Sequence, residues 1–172
     1  VLVYDTGPAF GEDFDTGRAV IAPYLRHQGV RHIDRLLVSH GDNDHIGGAA
    51  SLLALFSVDE ILTSVPSALA AWHAQGCQRG LHWTWDGVEF TVLHPPADGA
   101  YQGNDASCVL HIRTADGQAV LLSGDIEQAA ERALLDFAGT QLASTVLIVP
   151  HHGSNTSSTP AFVRAVDPQL AL

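Results

Sequence analysis

A mixed α/β fold is predicted for this 172-residue chain by three features of its sequence. Runs of aliphatic and β-branched residues recur with helix-compatible stretches between them, the alternation expected of an α/β protein. Asp86-Gly87 and Asp116-Gly117 each sit between alternating segments and read as hairpin turns, so antiparallel pairing is expected and a purely parallel doubly wound sheet is disfavoured. With 46% hydrophobic residues, the chain has the size and apolar content of one domain around one core.

The chain opens in the strand-like run Val1-Leu2-Val3-Tyr4, so a strand is expected near 1–5. A helix over 17–28 follows, with Ala19, Val20, Pro23, Tyr24 and His27 on one side and Gly29 placed to close it. Leu36-Leu37-Val38 centres a strand over 35–39, after which a helix over 47–55, a strand over 59–63 and a helix over 66–75 are expected. Strands over 81–85 and 88–94 flank the first Asp-Gly turn, and strands over 107–114 and 118–123 flank the second. Between the hairpins, Pro95 to Asp105 is irregular and rich in Pro, Gly, Ala and Asp, and loops of that length tend to be functional. A helix over 127–137, a strand over 144–149, a helix over 159–166 and a strand over 169–172 complete the pattern. No internal repeat or low-complexity tract is present.

The formal charge is −11, from 19 acidic residues against 8 arginines and no lysine. Such a chain repels a polyanion, which argues against broad electrostatic binding of nucleic acid. Any phosphate chemistry must then depend on bound cations, which make a site locally positive on an acidic chain. Cys77 and Cys108 show no CxxC pattern, so zinc-ribbon and thioredoxin-like readings are poor. Two small buried thiols are expected, and a disulfide is the alternative that would suit an extracytoplasmic location. No apolar run approaches the ~20 residues of a membrane span, and no signal peptide opens the sequence. The chain has no methionine and begins and ends in strand-like runs, so a piece of a longer polypeptide is expected.

Four ligand-type side chains fall within Ser39-His40-Gly41-Asp42-Asn43-Asp44-His45-Ile46-Gly47-Gly48, directly after an apolar run. Residues 40, 42 and 44 can point one way while Asp44 and His45 diverge, so one short loop can face two cations. The glycines that follow let backbones approach closely as the next helix begins. A solvated polar turn is the competing structural reading. An EF-hand in its usual form is excluded, because the loop lacks the Gly and the later Glu of calcium geometry. Asp125 follows a strand through Gly124, where it is either a ligand or the N-cap of the helix near Glu127. His151 and His152 follow the strand over 144–149 in a tight turn with Pro150, Gly153 and Ser154. Asp5-Thr6-Gly7 and Asp15-Thr16-Gly17 each match the aspartic-protease triplet, but they lie too close in sequence to occupy separate lobes, so chance is the sensible account. His27, His32, His73, His82 and His111 lack ligand spacing and are expected to be ordinary surface or core residues.

The segment His40-Gly41-Asp42-Asn43-Asp44-His45 resembles the HxHxDH signature of the metallo-β-lactamase superfamily, with Asp42 in place of the middle histidine. Tyr4-Asp5-Thr6-Gly7, Leu122-Ser123-Gly124-Asp125 and Val149-Pro150-His151-His152-Gly153-Ser154 resemble further superfamily motifs in matching order and spacing. The set is most similar to the C-terminal domain of the ComEC competence proteins, the DNA-uptake channels of bacterial transformation. Members usually begin with a DVGQGD-like strand and continue beyond the last strand here, and this chain shows neither. The resemblance implies an αββα sandwich over residues 1–172, with mixed, largely antiparallel sheets. It also implies a ligand set: His40 and Asp42 on one metal, Asp44, His45 and His151 on the other, and Asp125 on both. The first metal is then one ligand short. Asn104 is expected as a weak ligand or substrate contact, Ser107 and Ser154 as substrate contacts, and His94 as a lesser candidate against a core or surface role. His152 is expected to face substrate, with packing as the alternative, and Asp5 to support the loop.

Three carboxylates with three imidazoles make a harder set than a His-rich zinc site, which shifts the expected pair of divalent metals toward manganese, with zinc as the alternative. Two ions ~3.5–4 Å apart can activate a water and hold the phosphoryl oxygens of an in-line attack. Asp44 or Asp125 is expected to orient that water, and His152 or Ser154 to meet the phosphate or leaving group. The implied function is a metal-dependent DNA nuclease domain that degrades the non-imported strand. Its expected partners are single-stranded DNA and the membrane-channel portion of the same polypeptide, on the extracytoplasmic side of a bacterial plasma membrane, without a nucleotide cofactor. A hydrolase of a small phosphodiester, thioester or lactam and a metal-binding scaffold without turnover are the alternatives.

Overall fold

The computed structural model describes residues 1–172. They form two compact units, Val1–Gly76 and Cys77–Leu172, each with its own sheet and apolar core.

In the first unit, β1 (Leu2–Tyr4), β2 (His32–Val38), β3 (Ser57–Thr63) and β4 (Gln75–Gly76) form a sheet in that order, every pairing parallel. Ile33, Leu36, Leu37 and Val38 of β2 are fully buried, as in a central parallel strand covered on both faces. A π-helical turn (Gly17–Ile21) runs into α1 (Ala22–His27), and a single turn, α2 (Asn43–Ile46), precedes α3 (Ala49–Leu55). Ala22 and Leu25 of α1 and Ala49 and Leu52 of α3 pack with Val3, Ile33, Leu36 and Val38 in one core. The expected stop of α1 is present: Gly29 takes φ 76°, its N–H donates to the Arg26 carbonyl, and the Val30 N–H donates to the Leu25 carbonyl. The helix expected over 66–75 is instead a 3₁₀ run, Pro66–Trp72. Left-handed His73 (φ 57°) ends it, and Gln75–Gly76 pair with Leu62 and Thr63 as an edge strand, so sheet pairing overrides local helix preference there.

In the second unit, the strands run in the order β10 (Leu170–Ala171), β9 (Val146–Ile148), β8 (Ala119–Leu122), β7 (Val109–Arg113), β6 (Val88–His94) and β5 (His82–Trp85). The neighbours from β5 to β8 are antiparallel, whereas β8, β9 and β10 pair in parallel. Both expected hairpins are present. Asp86 (φ 50°) and Gly87 (φ 81°) form a two-residue turn of the primed kind that suits strand twist, and Thr114 closes the second by donating its N–H to the Gln118 carbonyl. α4 (Gln128–Ala138) sends Ala130, Leu134 and Ala138, spaced one turn apart, into a core with Leu93, Val109, Leu121 and Leu147. Phe162 and Val166 of α5 (Pro160–Val166) join it. The fold is thus α/β with two sheets, and pairing is mixed as expected, but five pairings are parallel against three antiparallel. Helical crossovers rather than tight turns join the strands of the first unit, and a crossover connection makes its strands parallel.

Cys77 and Cys108 are joined in a disulfide, not left as the two thiols expected. Closing a loop of this length removes roughly 3–4 kcal/mol of entropy from the unfolded chain on the loop-closure model. The double variant Cys77→Ser/Cys108→Ser is therefore expected to lower the unfolding free energy of the second unit by about that amount, read from its urea transition, and an unmoved midpoint would make the bridge incidental. No helix is long and apolar enough to cross a membrane.

Candidate metal centre

The expected donors divide between the units. In the first, β2 delivers buried Ser39 and His40 into the turn that carries Asp42, Asp44 and buried His45. Asp5, at φ 59° just beyond β1, organises them. Its Oδ1 accepts the Ser39 N–H at 2.6 Å, and its Oδ2 lies 2.9 Å from Ser39 Oγ and 2.7 Å from His45 Nδ1. Ser39 Oγ is also 3.1 Å from His40 Nδ1. One proton assignment satisfies every contact: His45 Nδ1–H and Ser39 O–H donate to Asp5, and His40 Nδ1–H donates to Ser39. Each imidazole then presents its Nε2 lone pair as a metal donor, oriented by its hydrogen-bonded partner. His40 Nε2 lies 3.6 Å from Asp42 Oδ2, and His45 Nε2 lies 3.7 Å from Asp44 Oδ2. These separations exceed a hydrogen bond, yet lie close to the ~3.3 Å between neighbouring donors on a tetrahedral cation with bonds of about 2.0–2.1 Å. The turn therefore offers two imidazole–carboxylate pairs, and a divalent cation fits that donor chemistry.

The backbone of this turn is clamped to the Asp5-Thr6-Gly7 segment. The Thr6 N–H and hydroxyl both donate to the His45 carbonyl, each at 2.7 Å, and the Gly48 N–H donates to the Gly7 carbonyl at 3.0 Å. A β-carbon at Gly48 would stand 2.4 Å from Gly17 N and 2.5 Å from Thr6 O, so no other residue lets these backbones meet. Asp15 plays a separate, structural role, in which Oδ1 accepts the Arg18 N–H at 2.8 Å and Oδ2 the Ser51 hydroxyl at 2.6 Å. The two Asp-Thr-Gly triplets are thus bound to different partners and share no proton.

In the second unit, Asp125 is buried, and its N–H donates to Ser107 Oγ at 3.1 Å. The N-cap alternative for Asp125 is excluded, because Asp105 does that work: its Oδ1 accepts the N–H groups of Glu127 and Ala130 at 2.8 and 3.1 Å. Asp125 Oδ2 lies 3.4 Å from His152 Nε2. His151 is engaged elsewhere. Its Nδ1 lies 3.0 Å from Glu127 Oε1 and 3.1 Å from Thr156 Oγ1, and its Nε2 accepts from Asn104 Nδ2 at 3.3 Å. Both histidines adopt positive φ, 48° and 52°, in a turn anchored by the His151 N–H on the Gly124 carbonyl. Non-glycine residues in that region cost of order 1–3 kcal/mol each and persist where surrounding structure imposes them, commonly at functional sites. Ser107 is fully buried and donates to the Asn104 carbonyl at 2.7 Å, so it positions Asp125 and the Asn104 loop. Ser154 Oγ lies 3.1 Å from Thr156 Oγ1.

His94 takes the core role: it is fully buried, and its Nε2–H donates to the Asp105 carbonyl at 2.7 Å. Burial holds its pKa below the usual histidine value, and burial does the same for His111. A histidine kept neutral in the folded state binds fewer protons than in the unfolded chain, so its stabilising contribution is full above the ordinary pKa near 6.5 and is lost as pH falls below it. Stability of the second unit is therefore expected to fall between pH 7 and 5, with a flatter urea-midpoint profile in His111→Leu; parallel profiles would contradict this.

Residues 1–172, the whole chain, match the family model of the metallo-beta-lactamase superfamily. The chain belongs to that superfamily. Its members are generally metal-dependent hydrolases and typically bind divalent metals, often zinc or iron. Among curated proteins, this superfamily domain is 38% identical over 171 residues to Competence protein ComA of Neisseria gonorrhoeae, covering 99% of this chain and 23% of that protein. It is 37% identical over 172 residues to YcaI of Escherichia coli strain K12, covering 99% and 22%. ComE operon protein 3 of Bacillus subtilis strain 168 is 30% identical, with 92% and 22% covered. The domain thus spans less than a quarter of the curated relatives it matches. Among solved structures, MEM-A1, a subclass B3 metallo-beta-lactamase from a soil metagenome library, aligns with a TM-score of 0.62 at 15% identity, covering 96% of this chain and 81% of that one. A Cronobacter sakazakii metallo-beta-lactamase with a HARLDQ motif aligns at 0.58 and 14% identity, covering 96% and 74%. These likenesses are of fold. Ser39 and Glu127, which hold the site histidines, were not singled out by the sequence; a hydroxyl directly before a ligand-type histidine is the one signal that pointed to the first.

Proposed function

We propose that this domain is a metal-dependent phosphodiesterase that cuts single-stranded DNA within a competence-type uptake protein. The observation that carries the reading is the pair of imidazole–carboxylate donors, His40 with Asp42 and His45 with Asp44, whose Nδ1 atoms are within hydrogen-bond distance of Ser39 and Asp5. Resemblance to Competence protein ComA supports the substrate class. In this reading His40, Asp42, Asp44 and His45 of the first unit would hold divalent metal, as would Asp125 of the second. The last ligand, expected as His151, passes to His152, because His152 is the ring beside Asp125 while His151 is bound to Glu127, Thr156 and Asn104. The carboxylate-rich donor set favours manganese over zinc. When bound, the cations would supply Lewis acidity to the phosphoryl oxygens and acidify a water. Asp44, half exposed, would orient that water, and Asn104 and Ser154 would offer polar contacts to the phosphate. The disulfide suits an extracytoplasmic location in the parent protein.

The test is to incubate the metal-free chain, and the chain loaded with Mn(II) or Zn(II), with end-labelled single-stranded DNA and with small phosphodiester, thioester and lactam substrates. Metal-dependent cleavage of DNA is expected, together with weaker metal retention in His152→Ala than in His151→Ala. Cleavage of small substrates alone would replace DNA with another substrate class, and tight metal binding without turnover would leave a scaffold.

A further inference from the structure

An acidic chain away from its cations repels a polyanion, so DNA binding needs an attraction that does not depend on charge. The loop between Gly7 and Asp15 offers one. It is closed by the pairing of Ala9 with Asp15 and by the Phe10 N–H donating to the Phe14 carbonyl at 2.8 Å. Phe10 and Phe14 are 69% and 58% exposed, with ring centroids 5.6 Å apart. The tip between them, Gly11-Glu12-Asp13, is exposed and acidic, which disfavours phosphate or an anionic bilayer there and leaves flat uncharged surfaces as the suitable ligand.

The loop is fixed to the ligand turn. The Ala9 N–H donates to Asn43 Oδ1 at 3.2 Å, and Asn43 Nδ2 donates to the Ala9 carbonyl at 3.0 Å, a clasp on the residue between Asp42 and Asp44. A β-carbon at Gly47 would stand 2.3 Å from Ala9 N, so the sequence keeps that space open for the clasp. We infer that Phe10 and Phe14 form a stacking platform for the unpaired bases of a single-stranded polynucleotide whose phosphates meet the adjoining ligand turn. This rests on the function proposed above and adds how substrate is held. Every base has a π-face, so such a platform tolerates any sequence, as degradation of arbitrary DNA requires.

The experiment compares KM for oligo(dT) with KM for a base-free deoxyribose-phosphate oligomer of equal length, using the Mn(II)-loaded chain. Phe10→Ala/Phe14→Ala is expected to raise KM for oligo(dT) about tenfold or more, to leave the base-free oligomer unaffected, and to be rescued by Phe10→Trp/Phe14→Trp. An unchanged oligo(dT) KM, or an equal shift for both oligomers, overturns the platform while the nuclease reading stands. Should the wild-type chain cleave neither oligomer, both fail. If the alanine variant instead loses adsorption to phosphatidylcholine vesicles with oligo(dT) KM unaltered, the rings are a bilayer contact and the inference is wrong.

Discussion

Asp125→Asn is expected to lower phosphodiester cleavage by about a thousandfold or more, the loss of several kcal/mol of charge stabilisation, and to release bound metal, while leaving the second unit folded. The separation of effects follows from the partners. The Asp125 N–H is held by Ser107, and that bond survives a change of side chain. The start of α4 is capped by Asp105, not Asp125. Asp105→Ala should therefore show the opposite profile, losing about 0.5–2 kcal/mol of stability through the lost cap. Activity against single-stranded DNA, metal content and urea midpoints of both variants, measured together, check the assignment. An Asp125→Asn variant that is destabilised yet retains metal and activity would return this residue to a structural role.

Gly48→Ala is expected to be strongly disruptive for a single added methyl. The added carbon would stand 2.4 Å from Gly17 N, 2.5 Å from Thr6 O and 2.8 Å from Gly17 Cα, all backbone, so relief requires a segment to move. Overpacking of this kind costs about 1–3 kcal/mol and occasionally more. The displaced segment is also the one that bonds Thr6 to the His45 carbonyl, so metal affinity should fall together with the thermal midpoint. Gly11→Ala meets nothing within 4 Å and serves as the near-neutral control. Equal stability and metal affinity in the two variants would show that the clamp on the ligand turn is not needed.

What could be read from the sequence, and what could not, divides along physical lines. Strands such as β2 and β7 announce themselves through apolar runs, and the hairpins through Asp-Gly pairs whose glycines take φ values few other residues accept. Parallel pairing in the first sheet was hidden, since strand direction is set by crossover connections and not by a local pattern. The edge strand Gln75–Gly76 is two residues long and leaves no periodicity to detect. The donors around His40 to His45 were legible because they crowd one turn. Asp105 as a cap and Glu127 as the partner of His151 were not, because each acts across more than twenty residues of chain. His151 and His152 are adjacent and chemically identical, and only the backbone turn decides which ring faces Asp125. The disulfide was equally hidden, since spacing alone does not say whether two cysteines meet.

The proposed function depends on metal being held by the donors named in each unit. A crystal structure of the chain grown with Mn(II), with anomalous scattering used to place the metal, measures this directly. The account predicts bound metal on His40, Asp42, Asp44 and His45 of the first unit and on Asp125 and His152 of the second. Metal confined to one unit, with Asp125 bound to none, would contradict it.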